Sequence, residues 1–220
     1  MTDYQRWRTI LKLDPARSVS DERLREVCSW PVDALMVGGS GGFGSGEVAA
    51  LFARLQHCSL PVAQEVSDVA SLCPGFDLYF VPMVLNSREV DWIVGHQQAA
   101  LKRLGSLVDG EKVVGEGYLI MNPEATAARI SKARSDLDMD DVVAFARLAG
   151  GLLRMPIFYL EYSGMYGSPE VVRAASAVLD DTLLWYGGGI RTSEQAREMG
   201  AAADAIVIGN SIYEGHSPFG

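Results

Sequence analysis

Short apolar runs alternate with helix-like stretches along most of the chain, and this alternation predicts the fold. The predicted strands cover residues 9–13, 33–37, 61–66, 77–81, 117–121, 157–160, 183–186 and 205–208. Strands that are separated by helices are typical of parallel βαβ units. Eight such strands with mostly helical connections predict an α/β fold, a TIM (β/α)₈ barrel, with residues 1–220 forming a single domain.

The stretches between the runs predict a helix after most strands. These helices cover residues 21–29, 47–56, 88–107, 124–134, 139–153, 169–179 and 193–199, with a kink expected near Gly95. Residues 67–74 are too few for a helix and are broken by Pro74-Gly75. The third helical position is therefore expected to be irregular. Residues 215–220 leave no room for a full last helix.

Two glycine-containing turns follow the seventh and eighth predicted strands. They are Gly187-Gly188-Gly189 and Gly209-Asn210. Such turns expose backbone N–H groups beside a helix start, which suits a phosphate, although they also serve simply to cap helices. The loops after strands 7 and 8 of TIM barrels often bind phosphate. We therefore expect a phosphorylated small molecule at the C-terminal end of the barrel.

The first strand ends with two charged residues. Pro15 stops the strand and places Asp14 at its C-terminal mouth. Strand alternation puts Lys12 and Asp14 on one face, two residues apart. One interpretation is a structural ion pair. The other is that Asp14 holds a divalent metal while Lys12 meets an anion.

Charge and composition exclude several classes of protein. The net charge of −9 argues against nonspecific nucleic-acid binding. The polar N-terminus lacks a signal-peptide core, and no apolar run approaches the ~18 residues of a transmembrane segment, so a cytoplasmic location is expected. Cys28, Cys58 and Cys73 are odd in number, widely spaced and without a CxxC motif. They are predicted to be ordinary thiols with no disulfide or metal role.

Several short motifs occur in a characteristic order between about residues 7 and 214. They are KLDP, VGGS, PGFDLYFVPMVLNS, DWIVG, EGYLIMNP, YLEYSG, YGGGI and VIGN. In this combination the chain resembles the PcrB and geranylgeranylglyceryl phosphate synthase family. The resemblance implies a TIM barrel that joins a polyprenyl diphosphate to the 3-hydroxyl of sn-glycerol 1-phosphate, releasing diphosphate. It also implies Mg²⁺ as cofactor and commonly a homodimer. The short tail departs from the family, whose members usually continue into a closing helix.

The resemblance also implies roles for individual residues. Asp14 and Ser40 would hold Mg²⁺, Lys12 would meet the glycerol phosphate, and Glu161 would be the general base at its 3-hydroxyl. The further glycerol-phosphate residues are Tyr159, Leu160, Tyr162, Ser163, Gly164, Gly189, Gly209 and Asn210. For Glu161 the alternative is a buried ion pair.

The length of the prenyl chain is expected to depend on the helix that follows the VLNS motif. In the family, a bulky aromatic residue at this position shortens the groove so that it holds a twenty-carbon chain. A small residue leaves the groove long enough for a thirty-five-carbon chain. Ala100 matches that position, so a heptaprenyl donor is expected; the alternatives are a twenty-carbon donor and an ordinary helix-forming alanine. Other classes left open are a sugar-phosphate isomerase or aldolase, a flavin-binding barrel, and an inert lipid- or phosphate-binding protein.

Overall fold

Eight parallel strands close into a barrel in sequence order in the computed structural model, which describes residues 3–105, 108–215 and 217–219. The strands are β1 (Thr9–Leu13), β2 (Ala34–Val37), β3 (Val62–Glu65), β4 (Leu78–Val84), β5 (Val113–Ile120), β6 (Ile157–Glu161), β7 (Leu183–Gly187) and β8 (Ala205–Ile208). Closure comes from the pairing of β1 with β8, in which Ile10 is opposite Val207. The predicted TIM (β/α)₈ barrel is confirmed.

Helices follow the strands at all but one position of the described chain. They are α1 (Asp21–Val27), α2 (Ser45–Leu55), α3 (Gly95–Leu104), α4 (Thr126–Ser131), α5 (Met139–Arg147), α6 (Pro169–Ser176), α7 (Ser193–Gly200) and α8 (Asn210–Glu214). After β3 there is only a 3₁₀ turn, Val69–Ser71, as the sequence predicted. Within the described residues, no helix combines the length and apolar composition that crossing a bilayer requires.

Two of the predicted helices are interrupted. The stretch 88–107 forms a 3₁₀ turn at Val90–Trp92 and then α3, which begins at Gly95. Glycine is a poor helix former, which favours a break over a kinked continuous helix at this point. The predicted end at residue 107 lies outside the described residues. The stretch 139–153 continues from α5 into a π-helical turn, Leu148–Leu152, which contains two adjacent glycines.

Alternation along the strands divides the core into two layers. Residues such as Ile10, Phe80 and Trp185 fill the barrel interior. Their strand neighbours, such as Leu11 and Leu184, pack outwards in the layer that includes the helices. Large buried side chains fill both layers. Polar residues are found instead at the carboxyl ends of the strands, where they can form a site.

The cysteines depart from the prediction at one place. Cys28 and Cys58 are joined as a disulfide, with their Cα atoms 5.5 Å apart, so the expectation of ordinary thiols is wrong for this pair. Cys28 directly follows α1 and Cys58 lies just beyond α2. The folded barrel brings these two helix ends together across 30 residues of sequence, which spacing alone does not reveal. Cys73 is a free, buried thiol, as predicted.

Candidate active site

A cavity of about 480 Å³ opens at the carboxyl ends of the barrel strands. It brings together most of the residues that the sequence had singled out. Its lining includes Lys12, Asp14, Ser40, Tyr159, Glu161, Ser163, Gly164, Gly189, Gly209 and Asn210. The side chains of Leu160 and Tyr162 do not join them. Both are buried in the outer core layer, because strand alternation carries them away from the barrel interior.

Glu161 is the last residue of β6, and its carboxylate lies at the bottom of the cavity with 8% of the residue exposed. Oε2 accepts a hydrogen bond from the Tyr118 hydroxyl at 2.8 Å, and Oε1 accepts one from the backbone N–H of Ser163. Ser163 has a positive φ of 44°, which folds the chain back over the carboxylate. These contacts come from neutral donors, so they orient the carboxylate as hydrogen bonds rather than as an ion pair.

Tyr118 is a site residue that the sequence analysis missed. It lies on β5, one strand away from Glu161, and its ring is edge-on to Tyr159 with centroids 4.6 Å apart. Burial raises the pKa of the Tyr118 hydroxyl well above its usual value, and the nearby Glu161 carboxylate raises it further. The hydroxyl therefore remains protonated and acts as a permanent donor to Glu161.

Lys12 forms an ion pair inside the barrel. Its partner is Glu65 on β3 and not Asp14, the partner that the sequence suggested. Its Nζ lies 2.7 and 2.8 Å from the two carboxylate oxygens of Glu65 on β3, and 3.4 Å from the Tyr118 hydroxyl. Burial lowers the pKa of the Lys12 ammonium, but Glu65 and Glu161 together outweigh it and leave the pKa raised. Lys12 therefore stays protonated, and its charge is balanced by Glu65.

A further carboxyl group lies in the barrel interior without a hydrogen-bond partner. Glu116 on β5 is fully buried, and neither of its side-chain oxygens is paired within the described part of the chain. Burial raises the pKa of Glu116 well above its usual value, and Glu65 raises it further. The protonated form of Glu116 is therefore favoured, since ionising it would place another negative charge among Glu65 and Glu161.

Asp14 and Ser40 face the same cavity from the ends of β1 and β2. The Asp14 Oδ1 atom accepts a hydrogen bond from the Ala16 N–H at 2.9 Å, and the Tyr213 hydroxyl accepts one from the backbone N–H of Asp14 at 2.7 Å. A Cβ atom on Gly39 would lie 2.8 Å from the Asp14 carboxylate, so only glycine leaves that carboxylate room. One carboxylate and one hydroxyl suit Mg²⁺, which takes few protein ligands and keeps water or phosphate oxygens.

The turns after β7 and β8 form the wall of the cavity on the other side of β1 from β2, since β8 pairs with β1. Gly189 has a φ of 60°, and a side chain there would overlap the backbone N–H of Tyr166, so this turn requires glycine. Arg17 stacks on the Tyr213 ring, 3.7 Å from its centroid, and its Nη1 donates to Asn210 Oδ1 at 3.3 Å. Among the described lining residues, Lys12 and Arg17 are the cationic ones. Sequence patterns gave no reason to single out Arg17, which lies in a loop.

A second, apolar cavity of about 520 Å³ lies on the outer side of β4 and β5 against α3. Its lining includes Val81, Met83, Gln97, Leu101, Leu104, Val108, Val113, Gly115 and Met155. Ala100 is 1% exposed and lies on α3 between Gln97 and Leu104, but it is not itself among the described lining residues. A larger side chain at position 100 would therefore have to displace the side chains packed around it.

The closed parallel barrel has its polar cavity at the carboxyl ends of the strands, which is where TIM-barrel enzymes have their active sites. The sequence profile of the PcrB family matches residues 2–218, and the chain belongs to that family. A heptaprenylglyceryl phosphate synthase of Geobacillus kaustophilus is 49% identical over 214 residues, which cover 97% of this chain and 90% of the relative. A heptaprenylglyceryl phosphate synthase of Bacillus mycoides is 46% identical over the same length, covering 97% of this chain and 93% of that relative.

A solved structure has the same barrel fold. The chain superposes with a TM-score of 0.82 on (S)-3-O-geranylgeranylglyceryl phosphate synthase from Thermoplasma acidophilum in complex with sn-glycerol-1-phosphate. That match has 26% sequence identity and covers 96% of this chain and 88% of the other.

Proposed function

We propose that this protein joins a long polyprenyl diphosphate, heptaprenyl diphosphate, to the 3-hydroxyl of sn-glycerol 1-phosphate and releases diphosphate. The observation that carries the proposal is the Glu161 carboxylate. Tyr118 orients it at the floor of a polar cavity. The same cavity is lined by the Asp14 carboxylate, which can bind a metal ion, and by the cations Lys12 and Arg17. Membership of the PcrB family and the names of its relatives support the same reaction.

Glu161 acts as the general base. The glycerol 3-hydroxyl attacks C1 of the prenyl group, its proton passes to Glu161, and the bond from C1 to the diphosphate oxygen breaks. The hydrogen bonds from Tyr118 and Ser163 fix the carboxylate before the substrate arrives, so little reorganisation is needed at the moment of attack.

Asp14 and Ser40 would hold Mg²⁺ beside the diphosphate. When bound, the ion neutralises charge on the leaving group and so weakens the allylic C–O bond. The carboxylate of Asp14 is suited to this role because its described hydrogen-bond partner is a backbone N–H rather than a cation.

The glycerol phosphate would lie between Lys12 and the turns that contain Gly189, Gly209 and Asn210. These turns offer backbone donors, and Ser163 and Gly164 complete the wall beside Glu161. Arg17 adds a second cation at the mouth, held in place by Tyr213 and Asn210, to offset the charge of two phosphorylated substrates. Leu160 and Tyr162 contribute only through their backbone.

The apolar cavity against α3 would receive the hydrocarbon tail. Each buried CH₂ contributes ~0.8 kcal/mol, so a long prenyl chain needs a continuous apolar groove. Ala100 is small and is buried on α3 beside the residues that line this cavity, and we infer that this favours the thirty-five-carbon donor over the twenty-carbon one. We also infer a cytoplasmic homodimer; light scattering that gives the mass of a single chain at micromolar concentration would contradict the dimer.

Two linked experiments test the proposal. Sn-glycerol 1-phosphate should raise the melting temperature of the protein, whereas sugar phosphates and flavin nucleotides should not, because a ligand that binds only the native state stabilises it. Selective stabilisation by a sugar phosphate would favour an isomerase or aldolase instead.

Asp14→Asn should abolish Mg²⁺-dependent turnover while the variant keeps the wild-type circular dichroism and melting behaviour. Asp180→Asn, at an exposed position before β7, serves as the matched control and should retain activity. Near-wild-type turnover of Asp14→Asn would overturn the metal role.

A further inference from the structure

Three side chains with metal-binding chemistry meet at the end of the barrel opposite the polar cavity. Cys28 directly follows α1, while His57 and Cys58 follow α2. Because each helix runs back along the barrel between parallel strands, the carboxyl ends of the helices lie at the amino ends of the strands. This cluster, Cys28, His57 and Cys58, is therefore separate from the residues proposed to bind substrate and Mg²⁺.

The spacing between Cys28 and His57 fits a four-coordinate ion, and the two sulfurs, which are bonded to each other in the structure, would separate on reduction. The ligand atoms of the three side chains lie within 4.8 Å of one another, and Cys28 Sγ is 3.8 Å from His57 Nε2. Typical Zn–S and Zn–N bonds of ~2.3 and ~2.0 Å place sulfur and nitrogen about 3.6 Å apart around a tetrahedral ion. His57 is exposed and both cysteines are half-buried, so solvent can supply the fourth ligand.

The electrostatics of the location favour a cation. Both α1 and α2 direct their carboxyl ends towards the cluster, and a helix C-terminus carries roughly half a negative charge on its free carbonyl groups. Two thiolates and an imidazole select zinc-like or cuprous ions, whereas magnesium prefers oxygen ligands. Within the described residues, this is the one group of three or more histidine, cysteine or acidic side chains whose ligand atoms all lie within 4.8 Å of one another.

We propose that Cys28, His57 and Cys58 form a second metal site, which binds Zn²⁺ or an ion of that class when the two sulfurs are reduced. The disulfide between Cys28 and Cys58 is the oxidised, metal-free form of the same site. Reduction by a phosphine breaks the S–S bond and yields two thiols, while the phosphorus takes an oxygen from water to give the phosphine oxide. Binding of the ion then displaces the two thiol protons.

Cobalt provides the probe, because tetrahedral Co²⁺ bound to thiolates has visible bands and a sulfur-to-metal charge-transfer band. Phosphine-reduced protein, freed of excess reductant under nitrogen, should bind one Co²⁺ per chain with both features, and Zn²⁺ should displace it. Cys28→Ser and Cys58→Ser should each weaken binding by at least tenfold and reduce the charge-transfer band. His57→Ala should weaken binding while the charge-transfer band remains.

Three controls make the result specific. Cys73→Ser removes the free thiol outside the cluster and should titrate like wild type. Asp14→Asn removes the proposed Mg²⁺ ligand and should also leave the cobalt spectrum unchanged. Oxidised wild-type protein should show no charge-transfer band.

The proposal is overturned if reduced wild type shows no thiolate–cobalt band, or if the two cysteine variants bind as tightly as wild type. To guard against a variant that folds poorly, Zn²⁺ should raise the melting temperature of reduced wild type and of Cys73→Ser but not of Cys58→Ser. Equal stabilisation of all three proteins would likewise reject the site.

Discussion

At the scale of single residues, the proposed chemistry depends on charged groups crowded into the barrel. Lys12 pairs with Glu65, and Glu161 accepts a hydrogen bond from Tyr118. Glu116 lies near them and has no hydrogen-bond partner among the described residues. The raised pKa of Glu116 favours its protonated form, which adds no negative charge to this cluster. The Glu161 carboxylate faces the cavity and is oriented by two donors, the Tyr118 hydroxyl and the backbone N–H of Ser163.

Replacing Glu161 by glutamine should reduce the rate by ~10²–10⁴, because the amide keeps the shape of the side chain but cannot take the proton. The measurement is the steady-state rate with saturating substrates and Mg²⁺, over a range of pH. Glu124→Gln, the same change at an exposed position of the cavity rim, should stay within a few-fold of wild type. If both the rate and the pH profile of the Glu161 variant match wild type, its role as base is rejected.

Glu116 should make the protein less stable as the pH rises. Its pKa is raised in the folded state, so the native protein holds a proton that the unfolded chain releases above the ordinary carboxyl pKa of 4.5. Stability is therefore lost above that pH, by up to about 1.4 kcal/mol per pH unit, until the folded group itself ionises. Glu116→Gln should remove this loss.

Urea unfolding of wild type and Glu116→Gln between about pH 4 and pH 8 tests this linkage. The free-energy difference between them should grow in favour of the variant as the pH rises. The exposed Glu170→Gln change should give a nearly constant, small difference. A pH-independent difference for Glu116→Gln would show that the carboxyl group is ionised in both states.

Only part of this cluster was predictable from sequence. Lys12 and Glu161 stood out because each lies at or near the end of an apolar run, within a family motif. Glu65 could not be identified as the partner of Lys12, because the pair is separated by 53 residues and meets only when β1 and β3 share the barrel interior. Tyr118 and Glu116 were missed for the same reason, since side-chain direction in β5 depends on register with its neighbours.

At the scale of elements, α3 and the outer faces of β4 and β5 determine what the apolar cavity can hold. Gln97, Leu101 and Leu104 recur at helical spacing along the face of α3 that lines this cavity. Ala100 is buried beside that face. The residue at position 100 should therefore control the depth of the cavity indirectly, through its packing against these neighbours.

Ala100→Trp should shift donor preference from the thirty-five-carbon to the twenty-carbon diphosphate, because the indole would push α3 side chains into the apolar cavity. The measurement is competition between equal concentrations of the two donors, read from the chain length of the product. Ala99→Trp is the matched control for register, since Ala99 is half-buried and one residue away.

The Ala100 variant must first be shown to fold, by circular dichroism and by its melting temperature. A folded Ala100→Trp protein that keeps the preference of wild type would contradict the gate. A shift in Ala99→Trp alone would move the gate by one position.

The elements themselves were predicted well where pattern and propensity agree, as in β1 and β8, whose bounds match the prediction. β5 begins at Val113 rather than at residue 117, because pairing of Tyr79 with Val113 and of Val81 with Gly115 extends it. Glycine and a charged glutamate are unfavourable in isolated strands, and tertiary pairing overrides that preference. The disulfide-linked ends of α1 and α2 show the same dependence on contacts between distant segments.

At the scale of the whole molecule, the closed barrel separates two environments that the proposed reaction needs. The interior presents charges and hydrogen-bond donors at the carboxyl ends of the strands, while the outer faces of β4 and β5 present an apolar surface. A substrate with a charged head and a hydrocarbon tail can satisfy both. A sugar phosphate would leave the apolar cavity unused.

A product assay on the wild-type protein tests the proposed prenyl transfer directly. Purified protein is incubated with radiolabelled sn-glycerol 1-phosphate, Mg²⁺ and an equal mixture of heptaprenyl and geranylgeranyl diphosphates, and the lipid-soluble products are separated by chain length and identified by mass. We expect Mg²⁺-dependent formation of prenylglyceryl phosphate, with the heptaprenyl product in clear excess. Failure to form a prenylglyceryl phosphate from either donor would contradict the proposed function, and an excess of the geranylgeranyl product would contradict the proposed donor.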